Sequence, residues 1–171
     1  MRLPVIDIGL MNEHLATHEG LLGKLDVYLE ATLDKFLMKL ITVQREMLKV
    51  HIQVMLELLL PQKEEWVNLP NENLEEELDL STATDSTGNE LTKRISLELQ
   101  ATANSMARTN FNSALMMKNE NVKQVHFEMA IQQATYLNYV NYFVEENEWS
   151  ISVKGTEDQQ NKIIEHFKHL V

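Results

Sequence analysis

The chain has 171 residues, 44% of them hydrophobic and 24% charged, with a formal net charge of −11. That length favours one domain able to bury a core without staples. The acidic balance argues against a nucleic-acid or anionic-membrane surface, which needs a basic patch. The absence of cysteine excludes a disulfide framework, a thiolate nucleophile and a cysteine-ligated metal.

With only five Gly and three Pro, long helices are expected rather than many short strands. The opening MRLPVIDIGL lacks the apolar core of a signal peptide, and residues 1–10 read as extended. No apolar run approaches the ~18 residues of a membrane span. The expectation is a soluble protein made in the cytoplasm.

From Met11 a stripe runs through Leu15, His18, Leu22, Leu25, Leu29, Thr32, Phe36, Leu40, Val43, Met47, Val50, Val54 and Leu58. Its steps of three and four are the spacing of one helical face. Two readings fit residues 11–60. One is a single helix of about 70 Å at 1.5 Å per residue; the other is two helices meeting at a turn that the periodicity hides. The β-branched cluster Ile41-Thr42-Val43 is the least helical stretch and places such a turn at 41–45.

Pro61 ends that region. Residues 61–90 hold nine acidic residues against one Lys, which is −8 of the −11. They read as a solvated connector with one helical turn at Glu72–Leu78, pinned by Trp66 and Leu69. A dedicated acidic binding tail is the less favoured alternative.

A helix is predicted over 91–117, opened by Thr87-Gly88-Asn89-Glu90 in capping-box spacing. Its middle, ATANSMA, would let a neighbouring helix approach closely. Lys118-Asn119-Glu120-Asn121 is a polar turn. The next helix, over 122–148, carries Val122, Val125, Met129, Tyr136, Val140 and Phe143 on one row. Ala130, Ala134 and Leu137 widen that row beyond the ~100° stripe of a surface helix, so other helices must cover it on more than one side. Ser150 to Val153 alternates as a short strand, and Gly155 breaks it. Thr156 and Gln159 form a capping box for a final helix over 156–171. Its Ile163, Ile164, Phe167, Leu170 and Val171 share one face, expected to dock on the bundle or, alternatively, on a second subunit.

Two helical hairpins joined by a long crossover make an all-α, four-helix bundle of ferritin-like connectivity. About 28 connector residues span some 90 Å extended, whereas a 27-residue helix is only about 40 Å long. The connector can therefore set the third long helix parallel to the second.

The segment 97–149, centred on NSMARTNFNSALMMKNENVKQVHFEMAIQQATYLNYVNYFVEENEW, resembles the second hairpin of the spore coat protein F family. Asn112-Ser113-Ala114, the turn at 118–121 and the closing Trp149 match that family's pattern, and His18-Glu19 is similar to its His-Glu near the start of the first helix. The acidic connector is longer than is usual in the family, and the turn of the first hairpin is not visible. The resemblance implies a ferritin-like helical protein of endospore-forming bacteria, associated with the spore coat rather than catalytic.

A carboxylate-bridged metal pair would need Glu-x-x-His on two helices, and no Glu in this chain has a His three positions later. Glu46 and His51, five apart, and His126 and Glu128, two apart, fall on different faces. That argues against a di-iron oxidase or a ferritin-type store. His14 and His18, with Glu19 nearby, have a spacing that could chelate one metal; a hydrogen-bonded core histidine is the better reading of His18. His166 and His169 favour a helix-end role. There is no Gly-flanked Ser and no Gly-rich phosphate loop. The nine Met read as core filler, and Tyr136, Tyr139 and Tyr142 as core and hairpin contacts.

The expected function is therefore a non-enzymatic structural or assembly protein with no catalytic, cofactor-binding or metal residues assigned. The alternatives are a ferritin-like metal-binding protein or enzyme, and an extended helical adaptor. Expected partners are a second copy, as a homodimer or higher homo-oligomer, and coat proteins. Nucleic acid and a membrane span are not expected.

Overall fold

Pro4 starts the first helix, because a ring-fixed φ with no N–H to place suits a helix entry. Its carbonyl accepts the N–H groups of Asp7 and Ile8 at 3.1 and 3.2 Å. Helix α1 therefore begins at Val5 and runs to Ala31, which corrects the extended reading of residues 1–10. The computed structural model describes residues 2–62, 64–71, 73–83 and 88–170. The predicted cap residue Thr87, the start of the predicted turn at Glu72 and the apolar Val171 lie outside them.

Residues 11–60 form a hairpin. The chain leaves α1 at Thr32, and α2, Lys35–Leu58, opens at Asp34, whose carboxylate accepts the Leu37 N–H at 2.8 Å. The turn lies here and not at 41–45. Ile41 and Val43 stay helical because both are buried in the core, and that burial outweighs their weak helix preference. The continuous 70 Å helix is excluded by the three non-helical residues Thr32–Asp34.

The acidic connector is more anchored than its composition suggests. It contains a short helix α3, Leu74–Glu77, and a 3-10 turn, Leu80–Thr82. Val67, Leu69, Leu74, Leu78 and Ala83 are buried. Asn121 clamps it by accepting the Val67 N–H at 2.9 Å and donating to the Val67 carbonyl at 2.7 Å. Leu69 pins the connector as expected; Trp66 is half exposed and does not.

Helices α4, Glu90–Met116, and α5, Glu120–Glu146, begin with Asn caps. Asn89 accepts the Thr92 N–H at 2.8 Å and Asn119 that of Val122 at 3.0 Å. Glu148, at φ 57°, reverses the chain after α5. Trp149 then folds back edge-on to Phe143, with ring centroids 5.6 Å apart. No strand forms among the described residues: Ser150–Val153, expected as a strand, has no neighbour to pair with.

Cross-helix contacts give the directions. His14 reaches Ser113 while Lys24 reaches Glu98, so α1 and α4 are antiparallel. Asp26–Arg45 and the His18–His51 contact make α1 and α2 antiparallel. Leu40–Tyr136 with His51–Gln132 does the same for α2 and α5, and Gln100–Asn141 with Phe111–Phe127 for α4 and α5. Consequently α2 and α4 run parallel, as the long crossover allows.

The core has two apolar ends and a polar middle. One end gathers Leu25, Phe36, Leu40, Leu99, Tyr136 and Phe143 with their neighbours. The other gathers Met11, Met55, Leu58, Met117, Val122 and Met129. Between them are His14, His18, Gln44, His51, Asn110 and Gln133, all buried. Three glycines, Gly9, Gly20 and Gly23, lie on α1 with open space where a Cβ would stand.

Candidate functional site

The polar middle holds four imidazoles from three helices. His14 and His18 are one turn apart on α1, His51 comes from α2 and His126 from α5. Ring centroids lie 5.1 Å apart for His14 and His126, 5.7 Å for His18 and His51, and 6.4 Å for His14 and His18.

Each ring is held by a fixed partner, and the partner sets its tautomer. His18 Nδ1–H donates to the His14 carbonyl at 2.7 Å, and His126 Nδ1–H donates to the Val122 carbonyl at 2.8 Å. His51 Nε2–H donates to Gln132 Oε1 at 2.9 Å. Gln132 in turn donates its amide N–H to the Pro70 carbonyl at 2.7 Å, which fixes its oxygen toward His51. His14 Nε2 is bonded to Ser113 Oγ at 2.8 Å.

This leaves three buried ring nitrogens with no hydrogen-bond partner: His18 Nε2, His51 Nδ1 and His126 Nε2. Burial holds all four rings neutral. It depresses His51 to about 3 and His18 and His126 to about 4, and lowers His14 less, with Asn110 beside it favouring the charged form. Neighbouring imidazoles add to the depression of His18, His51 and His126.

A cavity of about 300 Å³ opens between α1 and α4 onto His14 and His18, walled by Glu13, Thr17, Ser105, Thr109 and Asn110. It gives this polar centre a route to solvent. Among the described residues no group of three or more His, Asp or Glu side chains is arranged to hold a metal ion.

Of the residues singled out by spacing, His14 and His18 reach this centre and Glu19 does not: it lines a groove between α1 and α2. His18 is the hydrogen-bonded core histidine expected. His166 and His169 are exposed on the C-terminal segment. Tyr136 is a core residue, donating its hydroxyl to the Leu40 carbonyl at 2.9 Å. His51 and His126 were missed as site residues because no local spacing links helices so distant in sequence. The available signal was their flanks: Met47, Leu48 and Met55 around His51, and Val122, Val125 and Met129 around His126.

The outer surface carries a second feature. Helix α6, Glu157–Phe167, starts with the expected capping box of Thr156 and Gln159. It is exposed along its whole length, Ile163, Ile164 and Phe167 included, contrary to the expected docking on the bundle. Between α4 and α5 runs an apolar groove of about 370 Å³, lined by Ala107, Phe111, Ala130, Ile131 and Ala134 with Arg108 at its rim. No helix is long and apolar enough to cross a membrane among the described residues. Compared with protein-family models, curated proteins and solved structures, the chain matches none of them.

Proposed function

We propose that this chain is a non-enzymatic structural protein with a ferritin-like bundle, which self-associates through α6 and serves in the spore coat. The observation that carries the assembly reading is the undocked amphipathic helix, with Ile163, Phe167 and Leu170 on one exposed face. Exposed apolar faces of this kind mark protein contacts.

The occupant we assign is the α4–α5 groove of a second copy. Residues 150–171 carry three basic and three acidic residues, so the arm is neutral while the remainder of the chain bears the −11. A neutral arm bridges two acidic bodies without bringing their charged faces together. Small residues Ala107, Ala130 and Ala134 floor the groove, and Phe111 and Ile131 are exposed there. Because residues 11–60 fold as a hairpin, their stripe is spent within the bundle and α6 remains to join subunits. Twofold pairing is the commonest arrangement for such a contact.

Light scattering tests the assembly: twice the 19.8 kDa chain mass is expected, falling to a monomer for Ile163→Glu combined with Phe167→Glu. A monodisperse wild-type monomer would overturn it. The coat setting rests on the resemblance of residues 97–149 to the spore coat protein F family. A tagged copy is expected at the spore surface; dispersal through the cytoplasm of vegetative cells, with none on spores, would sink that part.

A further inference from the structure

We propose that His18, His51 and His126 bind one divalent transition-metal ion, with zinc the best match to the ligand set, in the polar middle of the bundle. This does not rest on the assembly reading above.

Three buried ring nitrogens without partners lead to this assignment. A buried acceptor without a partner is destabilising, and here His18 Nε2, His51 Nδ1 and His126 Nε2 are three of them in the polar middle of the bundle. Apolar side chains in their places would fill the space without that cost. An occupant that accepts electron pairs from all three relieves it at once.

The outer hydrogen bonds point the same way. A metal-binding imidazole needs one nitrogen free and the other donating to a carbonyl or similar acceptor, which fixes the tautomer and raises its basicity. His18 and His126 do so through the His14 and Val122 carbonyls, and His51 through the oriented amide of Gln132. All three rings therefore present the correct tautomer in advance.

One pair of the three stands near the spacing of a loaded site. Three imidazoles bound tetrahedrally at 2.0–2.1 Å put their ring centroids roughly 5 Å apart. The His18–His51 pair stands at 5.7 Å. Among the described residues no three such side chains stand arranged to hold a metal ion, so binding requires the rings to rotate and close inward. His14, held by Ser113, packs edge-on against His126 at 5.1 Å and acts as a positioning residue.

Three neutral nitrogens without carboxylate or thiolate suit zinc, copper, nickel or iron rather than magnesium or calcium. Asp7 and Glu13 exert the nearest acidic fields, on His126 and His14 respectively, and the chain's negative charge offsets the buried cation. The cavity reaching His14 and His18, with Thr17, Ser105 and Thr109 on its walls, supplies the route in and leaves room for water as a fourth ligand.

The test uses the full chain, stripped with chelator and desalted, then titrated with Zn²⁺ by calorimetry and with Co²⁺ by visible absorption. One equivalent is expected, with four-coordinate Co²⁺ bands displaced by zinc. His18→Ala and His126→Ala are expected to abolish it. Gln132→Ala, which removes only the partner orienting His51, is expected to weaken binding 10- to 100-fold. The pair His166→Ala, His169→Ala should leave it unchanged. Absence of binding in the wild type, loss of binding in the surface pair, or full affinity in Gln132→Ala would each overturn the proposal. If the core variants fail to fold, the wild-type titration and Gln132→Ala decide.

Discussion

Asp7 and Asn119 sit 112 positions apart, yet one carboxylate oxygen of Asp7 accepts the Asn119 backbone N–H at 2.8 Å. The other oxygen accepts the Lys118 N–H at 2.9 Å. Asp7 is fully buried, so the first turn of α1 supplies the acceptor for the turn that opens α5. A negative group there also complements the positive end of the α5 dipole.

Asp7→Ala is accordingly expected to destabilise by ~2–4 kcal/mol, because two amides lose charge-assisted partners inside the protein. Asp7→Asn, which keeps one acceptor oxygen, should lose about half as much. Urea unfolding at pH 7 measures both; equal losses for the two variants would contradict the two-amide account.

At the α1–α2 turn, Asp34→Ala removes the carboxylate that receives the Leu37 N–H. A loss of ~1–2 kcal/mol is expected, again by urea titration. Substitution at Thr42, exposed within α2 at the position first suggested for the turn, should change stability by less than ~0.5 kcal/mol.

That contrast explains what the sequence could disclose. The starts of α4, α5 and α6 were legible because their polar caps interrupt apolar periodicity. The α1–α2 turn was not, because Leu29, Thr32 and Phe36 keep steps of three and four straight through it. Asp34 was its only mark, and one cap residue is outweighed by a stripe of fourteen. The histidine centre was half legible for a similar reason: His14 and His18 share a helix, whereas His51 and His126 join them only through tertiary packing.

Acid should unfold the metal-free protein early. His18, His51 and His126 have folded values of about 4, 3 and 4, below the 6.5 of an unfolded histidine. Between those limits the unfolded chain holds more protons, so stability falls as pH drops below about 6.5 and levels off near pH 3–4. Each histidine adds a slope approaching ~1.4 kcal/mol per pH unit within its window. Urea midpoints measured from pH 8 to pH 4 test this, and a flat profile would contradict it.

The buried amides give a double-mutant cycle. Gln44 donates to Gln133 Oε1 at 3.0 Å, and Gln133 donates to the Met47 sulfur at 3.3 Å. Each single Leu substitution is expected to cost ~1–3 kcal/mol by stranding its partner. The double variant should cost clearly less than the sum, since no amide is left stranded; strict additivity would show the pair is not coupled.

The three glycines of α1 bear on how the molecule opens. Gly9, Gly20 and Gly23 each weaken a helix by about 1 kcal/mol relative to alanine. On the same helix only Met11 and Leu25 are fully buried apolar anchors, the other buried side chains being Asp7, His14 and His18. By contrast, α2 buries ten apolar side chains among its twelve buried residues. Helix α1 is therefore the piece of the bundle whose detachment costs least, and its amide protons should exchange with solvent ahead of those in α2 and α5. When it lifts, two of the four imidazoles leave with it, so the lifetime of the histidine centre is set by the docking of its most weakly held helix.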